Sequence, residues 1–403
     1  MNRPVSPGQQ ADSWRRVEHI LERDYEQPDF DGAKVIFSCV AAHRIVEYQP
    51  VWVMAVAPSG SLKTAILEGL RGLPHTLFVD EVTPQTFISG KLDDKRKKRQ
   101  TPASLLHRIG SEGIMVAADF STILSMDERN RAKILAQLRR IYDGRFCREF
   151  GTDENLSERD WQGRLTFLTG VTPDVDSHYS VFRSLGERFI QVRWARAGGI
   201  QTGIKAMEQS REGVEELQSA VHAMMTPILS QKSISAPNID ESIKLRLANL
   251  SEFVALSRAY VPRARDTHEI ITEPSPEGNT RLAQQFTQLV RGSSVLAGRL
   301  EVNEADFALV RRAAFDCIPD MRRKVLSAVM FEHSPYSLGL PEAVVNRTLT
   351  DLEALRIAER VSNGRGSRLT KSASELIAGI ESSPKMHMNE SGLKQVSMQV
   401  GGS

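Results

Sequence analysis

Two hydrophobic rhythms run along the chain. Val17, Ile20 and Leu21 follow Ser13 at helical spacing, and Val35, Ile36, Val40 and Ile45 form a second stripe after Asp31-Gly32. Ser13 is a residue type that caps helix starts. Residues 13–48 are therefore predicted as two helices, and residues 1–12, which carry no stripe, as disordered. The rhythm then changes. VWVMAV (51–56) is a continuous valine-rich run, the pattern of a strand buried on both faces. TLFVDEV (76–82), IMVAADF (114–120), RLTFLTGVTP (164–173) and RFIQVRW (188–194) read as further strands, with a helix at KILAQLRRIYDG (133–144). This alternation over 50–195 predicts an α/β unit around a mostly parallel sheet.

Beyond Gly199 the strand pattern stops. Residues 200–232, 239–262, 281–299 and 303–317 are amphipathic at helical spacing, so the stretch reads as all-α. From Pro319 the pattern is helix (MRRKVLSAVMFEH), helix (341–356), then strand, turn, strand (IAERVS, NGRG, SRLTK). The expected parsing is an α/β core at 13–198, a helical segment at 199–317 and a small unit at 318–380. Residues 1–12 and 381–403 are expected to be disordered. No internal repeat is found.

Composition narrows the classes. The chain has 403 residues, with 52 basic against 50 acidic side chains and a net charge of +2. That excludes a histone-like basic protein and an acidic disordered chain, but leaves room for a local basic patch. Cys39, Cys147 and Cys317 are scattered and odd in number, which does not suit a zinc site or a disulfide framework. No signal-like run and no 18-residue apolar stretch occurs, so a reduced, cytoplasmic protein without a membrane span is expected.

The chemistry concentrates after the first strand. Ala57-Pro58-Ser59-Gly60-Ser61-Leu62-Lys63-Thr64 sits between a buried strand and a helix, the context of a phosphate-binding loop GxxxxGK[ST]. Backbone N–H groups of such a loop cradle phosphates. Pro58 through Thr64 would hold the nucleotide, Lys63 reaching the β and γ phosphates and Thr64 binding Mg2+. Ala57 and Leu62 replace the two glycines of the pattern, and Leu62 is expected to need a backbone conformation usually left to glycine. Asp119 ends a later strand and is the candidate second Mg2+ ligand. Phe120 follows where a catalytic glutamate often stands, leaving Asp80 and Glu81 as candidates to orient water. Thr169 and Thr172 end the next strand, and Arg188 precedes the last. That order, Lys-Thr, Asp, Thr, Arg, favours a nucleotide site over an ordinary strand-to-helix turn.

These residues resemble the AAA+ superfamily of P-loop ATPases over roughly residues 30–317. APSGSLKT stands for Walker A, AADF for Walker B, FLTGVTP for the first γ-phosphate sensor and GERF (Gly186–Phe189) for the arginine-finger region. Residues 278–312 are similar to the helical lid of minichromosome-maintenance-type helicases, which would make Arg281 a γ-phosphate contact. The chain also resembles a family of uncharacterised ATP-binding proteins of phages and mobile elements, which share IYDG (Ile141–Gly144) and GERF segments. The resemblance implies ATP and Mg2+ as cofactors, and an arginine finger implies a ring or other homo-oligomer.

Residues 320–378 resemble a winged helix-turn-helix. Asn346 and Arg347 on its candidate recognition helix, with Arg365, Arg368 and Lys371 on the wing, are candidate DNA contacts. A packing or protein-interaction module is the other reading. KLDDKRKKRQ (91–100) is basic, and Lys95, Arg96 and Lys97 could touch phosphates without reading sequence; a solvated loop fits equally. The fold expected is α/β: a P-loop NTPase core, an all-α lid and a C-terminal winged helix-turn-helix. The function expected is an ATP-binding, ATP-hydrolysing, DNA-associated motor or switch. The alternative is a non-catalytic DNA-binding regulator whose degenerate P-loop is a scaffold or nucleotide sensor.

Overall fold

The computed structural model describes residues 6–88, 104–147, 160–178, 188–195, 198–264, 266–361 and 366–381. The chain divides into two units, one of residues 1–238 with 288–317, the other of 239–287 with 318–403.

The first unit holds the α/β core. Helix α1 (Pro7–Asp24) begins six residues before the expected start, because Pro7 presets helical φ at the first position and Gln10 is already buried. Residues 7–12 are thus helical, not disordered. Helix α2 (Phe30–Ala42) is capped by Asp29, whose carboxylate accepts from Gly32 N, and is apolar around nearly its whole circumference. It therefore lies buried between layers.

The strands are β1 (Trp52–Val56), β2 (Thr76–Val79), β3 (Glu112–Ala117), β6 (Arg164–Val171) and β7 (Phe189–Arg193). They form a parallel sheet in the order β2-β3-β6-β1-β7. Parallel strands with helices on both faces must be apolar on both sides, which is what the continuous runs encode. Helices α3 (Lys63–Glu68), α4 (Leu105–Ile109), α5 (Ser121–Leu124) and α6 (Glu128–Tyr142) fill the connections. Under the sheet, Trp52, Phe167 and Phe189 meet edge to face or tilted at 5.2–5.3 Å, with the Trp52 indole donating to Leu165 O at 2.7 Å.

A short antiparallel hairpin, β4 (Arg145–Cys147) with β5 (Asp160–Gln162), was not expected. Each strand has three residues, too short to show an alternation. Helices α7 (Ile200–Glu208) and α8 (Arg211–Leu229) follow the sheet. Helix α10 (Thr280–Leu296) crosses the unit boundary, and α11 (Glu304–Asp316) completes the first unit with a full capping box at Asn303 and Asp306. Gly292 allows α10 to pass α2 closely, since a Cβ there would fall 2.1 Å from Ser38 O.

At the amino ends of the strands, Arg164 donates to the carbonyls of His43 (2.6 Å) and Tyr48 (2.9 Å), terminating α2. Burial lowers its guanidinium pKa to about 10. His43 lies beside it with Nδ1 3.0 Å from Thr166 Oγ1. Desolvation first, then the Arg164 and Arg44 charges, hold His43 neutral, its pKa well below the ordinary histidine value.

The second unit joins α9 (Glu241–Ser257) to α12 (Asp320–Met330), a 3-10 turn at Pro335–Leu338, α13 (Glu342–Ala354), the β8–β9 hairpin (Ala358–Arg360 with Ser367–Leu369) and α14 (Lys371–Glu381). The all-α segment 199–317 is therefore shared between units rather than forming one lid. Buried Arg322 explains the partition: it donates to Ser257 O and Ala259 O and pairs with Asp351, tying α12 and α13 to the end of α9. Arg246 of α9 donates to Ile380 O at 2.8 Å, and Gly379 packs against Asn249, so α14 closes the same core.

Candidate functional site

All the core strands run in one direction, so β1, β3, β6 and β7 end on the same edge. The registers Val56↔Val171, Val56↔Arg193 and Ala117↔Thr169 fix those ends side by side. Ligands of open parallel sheets bind outside these carboxyl ends. Placing β6 between β1 and β3 seats Gly170 between Lys63 and the segment before Asp119. A Cβ on Gly170 would lie 2.7 Å from Ala118 O and 3.4 Å from Lys63 Cε. Phe120 N donates to Gly170 O at 2.7 Å and Ala57 N to Val171 O at 3.0 Å, pinning all three strand ends. Gly170 was read only as part of the FLTGVTP string. Its role could be seen only once the strand order was known.

The loop itself corrects one expectation. Leu62 has φ −57 and ψ −18, ordinary right-handed backbone, and is 8% exposed with its side chain packed inward. Ala57 is fully buried, with no left-handed backbone. The left-handed position is Gly60, at φ 74, where the sequence does supply glycine. The two replaced glycines thus fall where a Cβ is tolerated.

Lys63 is 7% exposed, and its ammonium donates to Ala57 O at 2.8 Å and Pro58 O at 3.4 Å. Burial pulls its pKa below the ordinary lysine value, while the Asp119 carboxylate pulls the other way. A desolvated cation folded onto neutral carbonyls, with one carboxylate in range, gains from an incoming polyphosphate. Thr64 and Asp119 are exposed. Asp119 Oδ1 accepts from Ser121 N at 2.8 Å, fixing the carboxylate at the start of α5. Among the described residues no group of three or more His, Cys, Asp or Glu could hold a metal. One carboxylate and one hydroxyl suit a Mg2+ ion that takes its other ligands from phosphates and water.

A cavity of about 250 Å3 opens beside the loop, lined by Gly60, Ser61 and Leu62, by 24–29 between α1 and α2, by Trp194, and by Thr202 and Lys205 of α7. It is somewhat smaller than the usual small-molecule pocket, about 300 Å3 and up. Three buried polar atoms here have no hydrogen-bond partner among the described residues: Ser61 Oγ, Trp194 Nε1 and Thr202 Oγ1. Buried polar atoms without partners are costly, and although others occur elsewhere in the described residues, a polar ligand reaching these three would lower that cost. Trp194 was read only as the end of a strand. Gly32 lies beneath its indole, where a Cβ would come within 1.6 Å of Nε1.

The remaining expected residues are placed as follows. Thr169 is fully buried, its hydroxyl 3.4 Å from Gly170 O, whereas Thr172 is half-buried at the strand end with Oγ1 3.4 Å from Asp174 Oδ2. Of the two, Thr172 is the one that reaches the open edge. Arg188 is 6% exposed; it pairs with Asp143 at 3.1 Å and lies over the Tyr142 ring. The IYDG and GERF segments thus meet through Asp143 and Arg188. Arg193, missed from sequence, forks onto both Asp176 oxygens (2.9 and 2.7 Å) and bonds Asp316 O. Asp80 and Glu81 are exposed after β2, beside the end of β3. Arg281 belongs to the second unit and pairs with Glu277 at 3.3 Å. In that unit Arg347 is exposed, Asn346 Oδ1 accepts from Tyr336 (2.7 Å) and Arg368 pairs with Glu359 (2.8 Å). Lys95, Arg96, Lys97 and Arg365 lie outside the described residues.

No protein-family model matches the chain, and no curated protein matches it. Among solved structures, it is similar to a 2.00 Å crystal structure of a Cytophaga hutchinsonii protein assigned provisionally as an ATPase. The two share 11% identity over 77% of this chain and 88% of the other, with a TM-score of 0.42. Among the described residues no helix is long and apolar enough to cross a membrane.

Proposed function

We propose that the protein binds a purine nucleoside triphosphate, ATP by the family resemblance, with Mg2+, and uses it as a switch or motor. The observation that carries this reading is Lys63: a buried ammonium held by loop carbonyls within the field of Asp119, next to a cavity whose buried polar atoms lack partners. Thr64 and Asp119 would hold the metal, which would neutralise phosphate charge when bound. Gly60 would supply the loop curvature, and Thr172 would stand at the open edge near the terminal phosphate. The finer expectation, a DNA-associated motor working as a ring, with Arg188 and Arg281 at the γ-phosphate, belongs to the same proposal. For Arg188 that role requires release from Asp143.

A second reading is favoured by one observation. Phe120, directly after Asp119, is fully buried, and the nearest candidate bases, Asp80 and Glu81, stand on a neighbouring strand end. Slow or absent turnover, with binding intact, would make the protein a nucleotide-sensing regulator. Titration of ATP·Mg2+ by calorimetry, together with phosphate release with and without DNA, separates these readings. ATP binding that is lost in Lys63→Ala supports the nucleotide site, and turnover then decides between motor and sensor. Absence of ATP binding at millimolar concentration, or binding indifferent to Lys63→Ala, would overturn it.

A further inference from the structure

We infer that the solvent face of α6 is a docking surface for the phosphate backbone of duplex DNA. This rests on the DNA-associated part of the reading above and moves the expected contact away from the wing. On a helix of about 3.6 residues per turn, Arg129, Ala132, Lys133, Ala136, Arg139 and Arg140 share one side. Ile134, Leu135, Leu138, Ile141 and Tyr142 occupy the other and are buried. The four cations are exposed. None of them has an ion pair or hydrogen bond of its side chain among the described residues. Of the acidic groups nearest in sequence, Asp143 is paired with Arg188, while Asp127 accepts from the neutral Asn130 N and Nδ2 and keeps its charge. Asp127 and Glu128 are both exposed at the start of the helix, so the face carries four cations against two carboxylates at one end.

The spacing suits a phosphate row. Arg129 to Arg140 spans about 16 Å at about 1.5 Å per residue, the length of several phosphates along one strand of a duplex. Ala132 and Ala136 between the cations let a backbone approach closely. The face has no aromatic side chain, so it offers no stacking platform for single-stranded bases, which favours the duplex.

The wing offers the opposite arrangement. Arg368 pairs with Glu359 at 2.8 Å, Arg360 with Glu353 at 2.9 Å and Arg356 with Glu273 at 2.8 Å. On α13, Arg347 shares the exposed face with Glu342, while Asp351 and Glu353 are taken up by Arg322 and Arg360. Phosphates there would meet compensated charge. Helix α6 is also fastened to the segment after Asp119, because Arg131 donates to Leu124 O (2.9 Å) and Met126 O (3.0 Å). The surface is therefore one short helix away from the candidate metal ligand.

The test is fluorescence anisotropy of the full chain with labelled duplex and single-stranded DNA across a salt series. The variants are Arg129→Gln/Lys133→Gln/Arg140→Gln on α6 and Arg347→Gln/Arg368→Gln on the wing. All these residues are exposed, and circular dichroism with thermal melting checks that each variant folds; Arg129→Lys/Arg140→Lys keeps the charge and should bind like wild type. Expected are duplex binding weakened by about tenfold or more in the α6 triple and a salt slope smaller by about 2 to 3, with the wing variant unchanged. Wild-type duplex binding that survives the α6 triple, or is lost in the wing variant instead, overturns the α6 assignment while leaving DNA association standing. Equal or tighter binding to the single strand also overturns it. No wild-type DNA binding at low salt removes the DNA-associated reading and the α6 surface together. Loss of self-association in the α6 triple without loss of DNA binding would mark the face as a protein contact and overturn the proposal.

Discussion

Gly170→Ala is the sharpest probe of the site. The added Cβ would lie 2.7 Å from Ala118 O and 3.4 Å from both Leu67 Cδ1 and Lys63 Cε. The first neighbour is backbone and cannot rotate away. Neither strand end can easily shift, because Phe120 N is bonded to Gly170 O and Ala57 N to Val171 O. Overpacking of this kind costs about 1–3 kcal/mol. In a unit of this size that lowers the melting temperature by about 2–4 °C per kcal/mol. Relief must come from the Ala118–Asp119 segment or from the Lys63 stem, so ATP affinity should fall as well. Differential scanning calorimetry and ATP titration of the same variant read both effects. Gly203→Ala is the control: Gly203 lies on α7 with nothing within 4 Å of the added carbon, so it should be neutral or more stable by up to about 1 kcal/mol. Wild-type melting together with wild-type ATP affinity for Gly170→Ala would refute the packing argument.

Three further outcomes are expected. Leu62→Gly should destabilise by about 2–3 kcal/mol, from a lost buried side chain and added chain entropy, without tightening ATP; tighter ATP binding in an isothermal titration would show that Leu62, not Gly60, limits the loop. Phosphate favours protonated Lys63, so binding takes up a proton and ATP affinity falls as pH rises through the free protein's Lys63 pKa. That fall should begin below the ordinary lysine value of 10.5 and disappear in Lys63→Ala, as affinity measured between pH 7 and 10 would show. His43 has a lowered pKa in the fold, so the unfolded chain binds its proton first on acidification. Stability is then full above pH 6.5 and declines below it, by up to about 1.4 kcal/mol per pH unit, until the folded-state pKa is reached. Urea unfolding of wild type and His43→Gln at pH 7 and 5.5 checks this, since the variant should lose less on acidification.

The core was legible because parallel strands leave an unmistakable trace. VWVMAV and its partners are apolar on both faces only because helices cover both sides. The strand-to-helix turn that carries Lys63 and Thr64 was legible for the same reason. What stayed hidden depends on neighbours distant in the chain. The six missed residues of α1 and the three-residue strands of β4 and β5 carry too little periodicity to register. The fault expected at Leu62 was inferred from a pattern of letters, whereas backbone dihedrals decide it, and they place the left-handed turn at Gly60.

The sequence by itself determined the α/β core, the strand ends that carry Lys63, Asp119 and Thr172, the helices that follow the core and the late strand pair β8–β9. It did so because burial and periodicity are local properties of each element. Only the tertiary structure decided which strand lies between which, and so that Gly170 touches both the Lys63 stem and Ala118. It also decided which charges are compensated. Arg368 and Arg360 find carboxylates on neighbouring elements and Arg188 finds one 45 positions away, while Arg129, Lys133, Arg139 and Arg140 find none among the described residues. A formal count of arginines and lysines cannot separate these two groups, because an ion pair is a matter of distance and not of composition.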